Sequence, residues 1–319
     1  MSIAAYIKEI GRGKDGARPL TFEQARDLLS QVLDGQVTDL EVGAFCLAMR
    51  IKGETPEELD GFVQATLARC VPLAPAVAQV PDLIGTVVLP SYNGARKLPN
   101  LTALLAALLA RRGVGVLVHG PASDPTRVTT AQVWQALGWP VVQDAATLAA
   151  AWQAGQAAFI ATDTLCPALA RLLAVRWTIG LRNPGHTVAK LLDPFAGAGQ
   201  PAMRVVNHTH PEYAHSLTGF LTRVQAHALL MRGTEGEPVA DARRQPRFEV
   251  FLNGQRDEAL SRLPQEGVLT ALPELPEGRA ADLTADHVRA VLAGTSVLPD
   301  AIAAQVDCLV AALGRQRKG

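Results

Sequence analysis

Beyond residue 83, short apolar runs alternate with helical patterns, and this alternation constrains the fold more than any other feature. Each run fits a buried strand, and strands that are joined by helices pair in parallel with helices on both faces of the sheet. The chain is therefore predicted to be an α/β protein. The predicted strands are Leu83–Leu89, Val114–Val118, Val141–Val142 and Ala158–Ile160, and the helices are Leu101–Arg112, Thr130–Leu137, Ala146–Ala154 and Pro167–Ile179. A hairpin is predicted where strand Phe248–Leu252 meets Asn253-Gly254.

Helix-capping signals predict that the first part of the chain is helical. Thr21 with Gln24 forms a capping box, Thr38 begins a second helix, and Thr55-Pro56 begins a third. Prolines at 72, 75 and 81 then make a linker. A domain boundary is therefore expected near residue 75.

Composition indicates a soluble globular protein, with 48% hydrophobic and 19% charged residues. No apolar run is long enough to span a bilayer, so no membrane partner is expected. The four cysteines, at positions 46, 70, 166 and 308, lie far apart among apolar residues. They are expected to be reduced thiols of a cytoplasmic protein.

Charge is balanced overall but unevenly distributed. Lys plus Arg and Asp plus Glu both total 30, yet Leu83–Ser123 and Thr164–Leu192 contain no acid. Those stretches carry basic residues, which predicts one positive face on a neutral protein. The alternative is that acid-poor stretches are simply buried.

The turn after the first predicted strand lies where an α/β enzyme would hold a phosphate. Phosphate-binding turns contain small residues, because backbone N–H groups must approach phosphate oxygens to within about 3 Å. Pro90 and Tyr92 occupy this turn, and Arg96 and Lys97 follow it. This turn therefore lies at the position of a phosphate-binding loop but lacks the small residues of one.

Downstream motifs give this turn a family context. Asn100-Leu101-Thr102 and Val118-His119-Gly120 follow in an order that resembles the anthranilate phosphoribosyltransferase family, whose glycine-rich loop precedes Asn-x-Ser-Thr and Lys-His-Gly-Asn. The chain is more similar still to the YbiB-like branch of that family, whose members bind nucleic acid. The shared segments are Ile7–Lys14, Ser91–Lys97, Asp124–Val128, His186–Leu191, His210–Tyr213 and Gly233–Glu237.

The resemblance implies a small N-terminal helical domain and a larger α/β domain with a mainly parallel central sheet. It implies a helical domain of residues 1–75 with a return segment 165–185, and an α/β domain of residues 76–164 and 186–319. A homodimer formed through the helical domain is also implied.

The resemblance does not extend to the catalytic groups of the transferases. Their magnesium-binding Asp-Glu pair is missing, because Gly233–Glu237 continues as Pro238-Val239, and Glu235 and Glu237 are out of register. His208 and His210 have metal-ligand spacing but no third ligand of definite position. We therefore predict no catalytic residue, no metal site and no cofactor, magnesium included.

Several positions nevertheless match the transferase cleft, and we treat them as its vestige. Arg176 stands where the family recognises the anthranilate carboxylate, although it could equally be a cation at the domain interface. The vestigial set is Ser91, Asn93, Gly94, Asn100, Thr102, His119, Gly120 and Arg176.

The predicted function is binding of nucleic acid, preferably single-stranded and without sequence specificity, through Lys and Arg contacts to phosphate. The candidate contacts are Lys8, Arg12, Lys14, Arg96, Lys97, Arg182, Lys190, Arg243, Arg244 and Arg247. The alternative for Arg243–Arg247 is a solvated loop. The competing functions are a phosphoribosyltransferase acting on an aromatic amine and a binder of a small phosphorylated ligand.

Overall fold

A computed structural model describes residues 2–13, 15–209, 212–268 and 271–317. A seven-stranded sheet forms its centre, with the strand order β3-β2-β1-β4-β5-β6-β7. The first five strands in this order are parallel and the last two are antiparallel. The strands are β1 (Thr86–Pro90), β2 (Gly115–Gly120), β3 (Ala158–Ala161), β4 (Met203–His208), β5 (Ala228–Arg232), β6 (Phe248–Leu252) and β7 (Gln255–Arg256).

The N-terminal part of the chain folds into helices α1 (Ala4–Ile10), α2 (Phe22–Leu33), α3 (Asp39–Lys52) and α4 (Pro56–Leu67). Thr21, Thr38 and Thr55 each accept a backbone N–H bond as N-caps, and each forms a full capping box with the residue three positions on. Satisfying these otherwise unpaired N–H groups fixes where each helix begins. The helical N-terminal part is confirmed.

Further helices of the described ranges surround the sheet. They are α5 (Ala74–Ala78), α6 (Thr102–Ala110), α7 (Thr130–Leu137), α8 (Ala145–Gln153), α9 (Thr162–Leu165), α10 (Pro167–Ile179), α11 (Gly185–Val188), α12 (Glu212–Arg223), α13 (Ala281–Leu292) and α14 (Asp300–Gln316). Helix α10 packs against α2, and Arg171 donates to the Leu33 carbonyl at 3.0 Å. The domain limits at residues 75, 165 and 185 stay a prediction.

Alternate residues of β1 face different cores, as the two-residue period of a strand requires. Val87 and Leu89 pack with α6, α7, α13 and α14, whereas Val88 packs with α5 and α8. Val206 and Leu230, on β4 and β5, join the core formed by α1 to α4 and α10. The predicted α/β class with a mainly parallel sheet is confirmed.

Two local predictions have different outcomes. The hairpin at Asn253-Gly254 is confirmed, because β6 and β7 pair on either side of it. The predicted strand Val141–Val142 is wrong as an element: Val141 makes only a single bridge, to Phe159. A lone bridge at the sheet edge supplies too little pairing for a strand, and Val141 remains half exposed.

Parallel strands end together at the carboxyl edge of the sheet, and so do the loops that follow them. Strand β1 leads into the turn at residues 91–98, and β5 leads into a short 3-10 turn, Thr234–Gly236. These two turns lie against each other. In open α/β sheets, the carboxyl edge is where ligands bind.

Candidate functional site

The carboxylate of Glu237 lies inside the turn that follows β1. Its Oε1 accepts the backbone N–H groups of Asn93 and Gly94, both at 2.7 Å. Its Oε2 accepts the hydroxyl of Ser91. Glu237 is buried, with 2% of its surface exposed. The turn therefore binds an anion, and the anion is a side chain of the same chain.

Glu235 likewise accepts backbone N–H groups, from the outer half of the turn. Its carboxylate accepts the backbone N–H of Arg96 at 2.6 Å and that of Lys97 at 3.1 Å. Gly236 between the two acids has φ +86°, and a Cβ there would come within 1.7 Å of the Asn93 amide nitrogen. A glycine is therefore required to bring both carboxylates to the turn.

These contacts occupy the N–H groups that a phosphate would need. In a phosphate-binding turn, such groups point at the oxygens of the ligand. Glu237 is followed by Pro238 and Val239, whose side chains have no oxygen for a magnesium ion. Glu235 and Glu237 are already bonded to the turn. These N–H groups and these two carboxylates are therefore not free for a diphosphate and a metal.

Asn100 and Thr102 of the predicted vestigial cleft also lie around Glu237. Asn100 donates to the Thr130 hydroxyl at 2.9 Å, and Thr130 and Thr102 lie 3.3 and 3.5 Å from Glu237 Oε2. All three are buried. Ser91, Asn93, Gly94, Asn100 and Thr102 thus come together as predicted, around a carboxylate.

His119 lies in the core behind this turn. It is fully buried, and the Tyr92 hydroxyl lies 2.8 Å from its Nδ1. Burial lowers the pKa of His119 to about 3. Gly120 beside it allows close packing, because a Cβ there would come within 2.0 Å of the Ser91 carbonyl oxygen. His119 is a neutral core side chain and does not line a cleft.

The histidine makes stability depend on pH. Its pKa of about 3 when folded lies below the ordinary 6.5, so below pH 6.5 the unfolded chain binds a proton that the folded chain does not. Stability is therefore complete above pH 6.5 and falls as the pH drops toward 3. At pH 4.5 we expect a loss of about 3 kcal/mol from this group. Urea unfolding at pH 7 and 4.5, compared between the parent and His119→Asn, measures it; an equal pH loss in both proteins would contradict it.

A cleft of about 480 Å³ opens beside the closed turn, between α3, α11 and the carboxyl ends of β4 and β5. Two of its lining residues are acidic, Glu54 and Glu235. Burial raises the pKa of Glu54 to about 7, which reduces its negative charge at neutral pH. Six lining residues are basic: Arg50, Arg96, Arg127, Arg182, Lys190 and Arg232.

A second cleft, of about 400 Å³, lies next to the first, and we call the first the inner cleft and the second the outer cleft. The outer cleft is lined by Arg96, Lys97, Arg127 and Arg279 together with Thr126. Arg96 and Arg127 line both clefts, so the two clefts adjoin. We call the eight basic residues that line the joined clefts the cationic track: Arg50, Arg96, Lys97, Arg127, Arg182, Lys190, Arg232 and Arg279.

Two cations of the track are only partly exposed. The Lys190 ammonium donates to Asn207 Oδ1 at 2.9 Å, and Arg182 donates to Asn93 Oδ1 at 2.7 Å. Burial, followed by the charge of Arg182, lowers the pKa of Lys190 to about 8. Burial also lowers the pKa of Arg182 to about 10. The negative charge of Glu237 opposes both shifts but does not cancel them.

The structure brings Arg96, Lys97, Arg182 and Lys190 together on the track, but not the other predicted contacts. Lys8 and Arg12 are exposed at the end of α1, where Arg12 pairs with Glu9 at 2.6 Å, and Lys14 lies outside the described residues. Neither cleft includes Lys8 or Arg12.

The basic cluster at residues 243–247 also lies away from both clefts. Arg243 makes a paired bond to Asp241, two residues before it, and Arg244 donates to the Gly267 carbonyl at 2.8 Å. Arg247 is exposed. These contacts fit the alternative of a solvated loop, and the nucleic-acid role of this cluster stays a prediction.

Arg176 is held near the track without lining it. Its guanidinium lies 3.6 Å from Asp124 and stacks over the Trp177 ring at 4.1 Å. Sequence reasoning missed Arg50, Arg127, Arg232 and Arg279, which come from four separate segments. The one signal was Asp124–Val128, a shared segment that contains Arg127.

No three side chains of His, Cys, Asp or Glu converge as metal ligands anywhere in the described ranges. His210, the second histidine of the sequence pair, is outside those ranges. Within residues 2–13, 15–209, 212–268 and 271–317, no helix has the length and apolar character to cross a membrane.

Two family models match this chain. Residues 4–70 match the helical bundle domain of a glycosyl transferase family, and residues 93–317 match its a/b domain. The chain belongs to this glycosyl transferase family.

Individual relatives agree with the assignment. The chain is 38% identical to the uncharacterized protein YbiB of Escherichia coli over 315 residues, which cover 98% of this chain and 95% of the relative. It is 28% identical to an anthranilate phosphoribosyltransferase of Thermomicrobium roseum, over 86% of this chain and 78% of that one.

Solved structures share the fold at lower identity. Anthranilate phosphoribosyltransferase of Thermus thermophilus has a TM-score of 0.67 at 19% identity, over 98% of this chain and 97% of that one. The Saccharomyces cerevisiae enzyme, solved with phosphoribosyl pyrophosphate (PRPP) and Mg, has a TM-score of 0.68 at 14% identity, over 98% and 91%. The scaffold is therefore that of a phosphoribosyltransferase.

Proposed function

We propose that the protein binds nucleic acid along the cationic track, preferring single strands and reading no particular sequence. The observation that carries the proposal is that two adjoining clefts share Arg96 and Arg127 and are lined by eight basic residues together. A single phosphorylated molecule would need one cleft, whereas a polyanion contacts cations along its length. This is the nucleic-acid-binding role expected of the YbiB-like branch.

Electrostatics supports a polyanion as the ligand. Eight cations line the track against two acids, and the Glu235 carboxylate is already bonded to backbone N–H groups. Contacts from Lys and Arg to phosphate supply most non-specific affinity, because each releases condensed counterions. Tyr213 and His208 on the inner wall supply flat rings on which bases can stack.

Binding of strands with unrelated sequences tests this proposal directly. We expect labelled single strands of equal length and unrelated sequence to bind with affinities within a few-fold of one another, because phosphate contacts carry little sequence information. Fluorescence anisotropy at low salt measures this. A strong preference for one sequence, or no binding of any strand, would contradict the proposal.

Catalysis by the transferase scaffold is the competing function, and the closed turn argues against it. We expect no anthranilate-dependent consumption of PRPP, even at high Mg2+, because Glu237 already accepts the N–H groups of the turn and no acidic pair follows it. Stabilising developing charge is usually the largest part of such catalysis. Turnover within about tenfold of a normal transferase, which corresponds to about 1.4 kcal/mol in the barrier, would overturn this view.

An exposed apolar face on the helical domain supports the proposed homodimer. Leu40, Leu47 and Ile51 of α3 are 83%, 49% and 60% exposed, and their spacing places them on one side of the helix. Trp177 and Leu181 are also exposed, at 52% and 42%. A second copy packed on this face would place two cationic tracks in one particle.

A further inference from the structure

The inner end of the cationic track contains donors that the protein does not use. Arg182 Nη2 and Asn207 Nδ2 are both buried without a hydrogen-bond partner among the described residues. Asn207 is only 2% exposed, and both side chains line the inner cleft. Buried donors are normally satisfied, so these two indicate a ligand.

Lys190 adds a charge to the same wall. Its ammonium has three N–H groups, of which one donates to Asn207 Oδ1 at 2.9 Å and one to the Gly236 carbonyl at 3.4 Å. Neither Lys190 nor Arg182 is paired with a carboxylate in the described part of the chain. Two partly buried cations, neither of them in a salt bridge, favour an anion between them.

We propose that Lys190, Arg182 and Asn207 form a site for one phosphate monoester, which in the nucleic-acid complex is the terminal phosphate of the strand. This inference rests on the proposed function for its source of phosphate. A monoester carries three terminal oxygens and nearly two negative charges, whereas an internal phosphodiester has one charge and two free oxygens. Three convergent donors, two of them cationic, match the monoester.

The order of the cations along the track also fits a strand end. Lys190 and Arg182 line only the inner cleft, whereas Lys97 and Arg279 line only the outer one. A terminal phosphate at Lys190 would leave the rest of the strand to run outward along the remaining cations.

The test compares three strands of one sequence, with a 5′-phosphate, with a 3′-phosphate, or with hydroxyls at both ends. We expect one phosphorylated strand to bind about tenfold more tightly than the hydroxyl strand, as one charge-assisted contact gives. Lys190→Met should reduce that ratio to about one. Lys97→Met is the matched control: it removes one cation from the outer cleft, so it should weaken all three strands equally and preserve the ratio.

A second variant controls for a folding defect in Lys190→Met. Asn207→Asp keeps the side-chain shape, pairs with Lys190 and repels a phosphate, so it should also abolish the preference. Thermal unfolding of each variant checks that the fold is intact.

The outcomes separate the two proposals. Equal binding of all three strands to the parent protein would overturn the monoester site and leave the track proposal standing. If no strand binds, but inorganic phosphate binds and Lys190→Met abolishes it, the site stands and the track proposal fails. Phosphate binding that Lys190→Met and Asn207→Asp leave unchanged would overturn the site as drawn.

Discussion

Replacing Glu237 by Ala is expected to lower the free energy of unfolding by roughly 3 kcal/mol or more, since unpaired buried donors cost about 1–3 kcal/mol each. The Glu237 carboxylate accepts the N–H groups of Asn93 and Gly94 and the hydroxyl of Ser91. Removing it leaves all three without that acceptor in a buried turn. Urea unfolding followed by circular dichroism measures the change, with an unchanged m-value as the sign that compactness is preserved.

Glu235→Ala is the matched control for this prediction. Glu235 also accepts backbone N–H groups, those of Arg96 and Lys97, but it is partly exposed and both partners are at the surface. Water can replace its carboxylate, so we expect a loss of about 1 kcal/mol or less. Equal losses in the two variants, or a loss below about 0.5 kcal/mol for Glu237→Ala, would mean that the closed turn is not held by the buried carboxylate.

Replacing Arg96, Lys97 and Arg279 together by Ala is expected to reduce single-strand binding with a distinct salt signature. These residues line the outer cleft, and all three are exposed, so the fold should tolerate the change. Each cation that contacts a phosphate of a single strand contributes about 0.7 to the magnitude of the log–log salt slope, so the triple variant should have a slope smaller by about 2. Titrations from low to moderate salt measure it.

Arg243, Arg244 and Arg247 provide a control in which three positive charges are likewise removed. They line neither cleft, and Arg243 is paired with Asp241. We expect their triple Ala variant to change the slope by less than the value of a single phosphate contact, about 0.7. If this variant has the larger effect, the strand binds to the loop and the cationic track is wrong as the interface.

The fold was predictable because local signals agreed with each other. Alternating strand and helix patterns predicted β1 to β3 with their helices, and capping residues fixed the starts of α2, α3 and α4. The predicted strand at Val141–Val142 was wrong because two apolar residues do not reveal how few backbone hydrogen bonds the edge of the sheet offers. Whether a short apolar run becomes a strand depends on a partner that the run itself does not specify.

The site was predictable only in part, because residues that are far apart in the sequence form it. Pro90 and Tyr92 indicated that the phosphate loop had been replaced, but not that Glu237, far along the chain, fills it. That contact exists because the strands before both turns end at one edge of the sheet. The dense cluster at Arg243–Arg247 likewise gave no sign that Asp241 pairs with Arg243 locally, and its nucleic-acid role stays a prediction.

Protection of Lys97 from acylation is the measurement that tests the central claim most directly. Lys97 is exposed on the outer cleft, whereas Lys8 is exposed at the end of α1 and lines neither cleft. With a saturating single strand at low salt, mass spectrometry should find Lys97 protected and Lys8 as reactive as in the free protein, and added salt should restore Lys97 as the strand dissociates. Unchanged Lys97 reactivity while the strand is bound, or protection of Lys8 alone, would contradict binding along the cationic track.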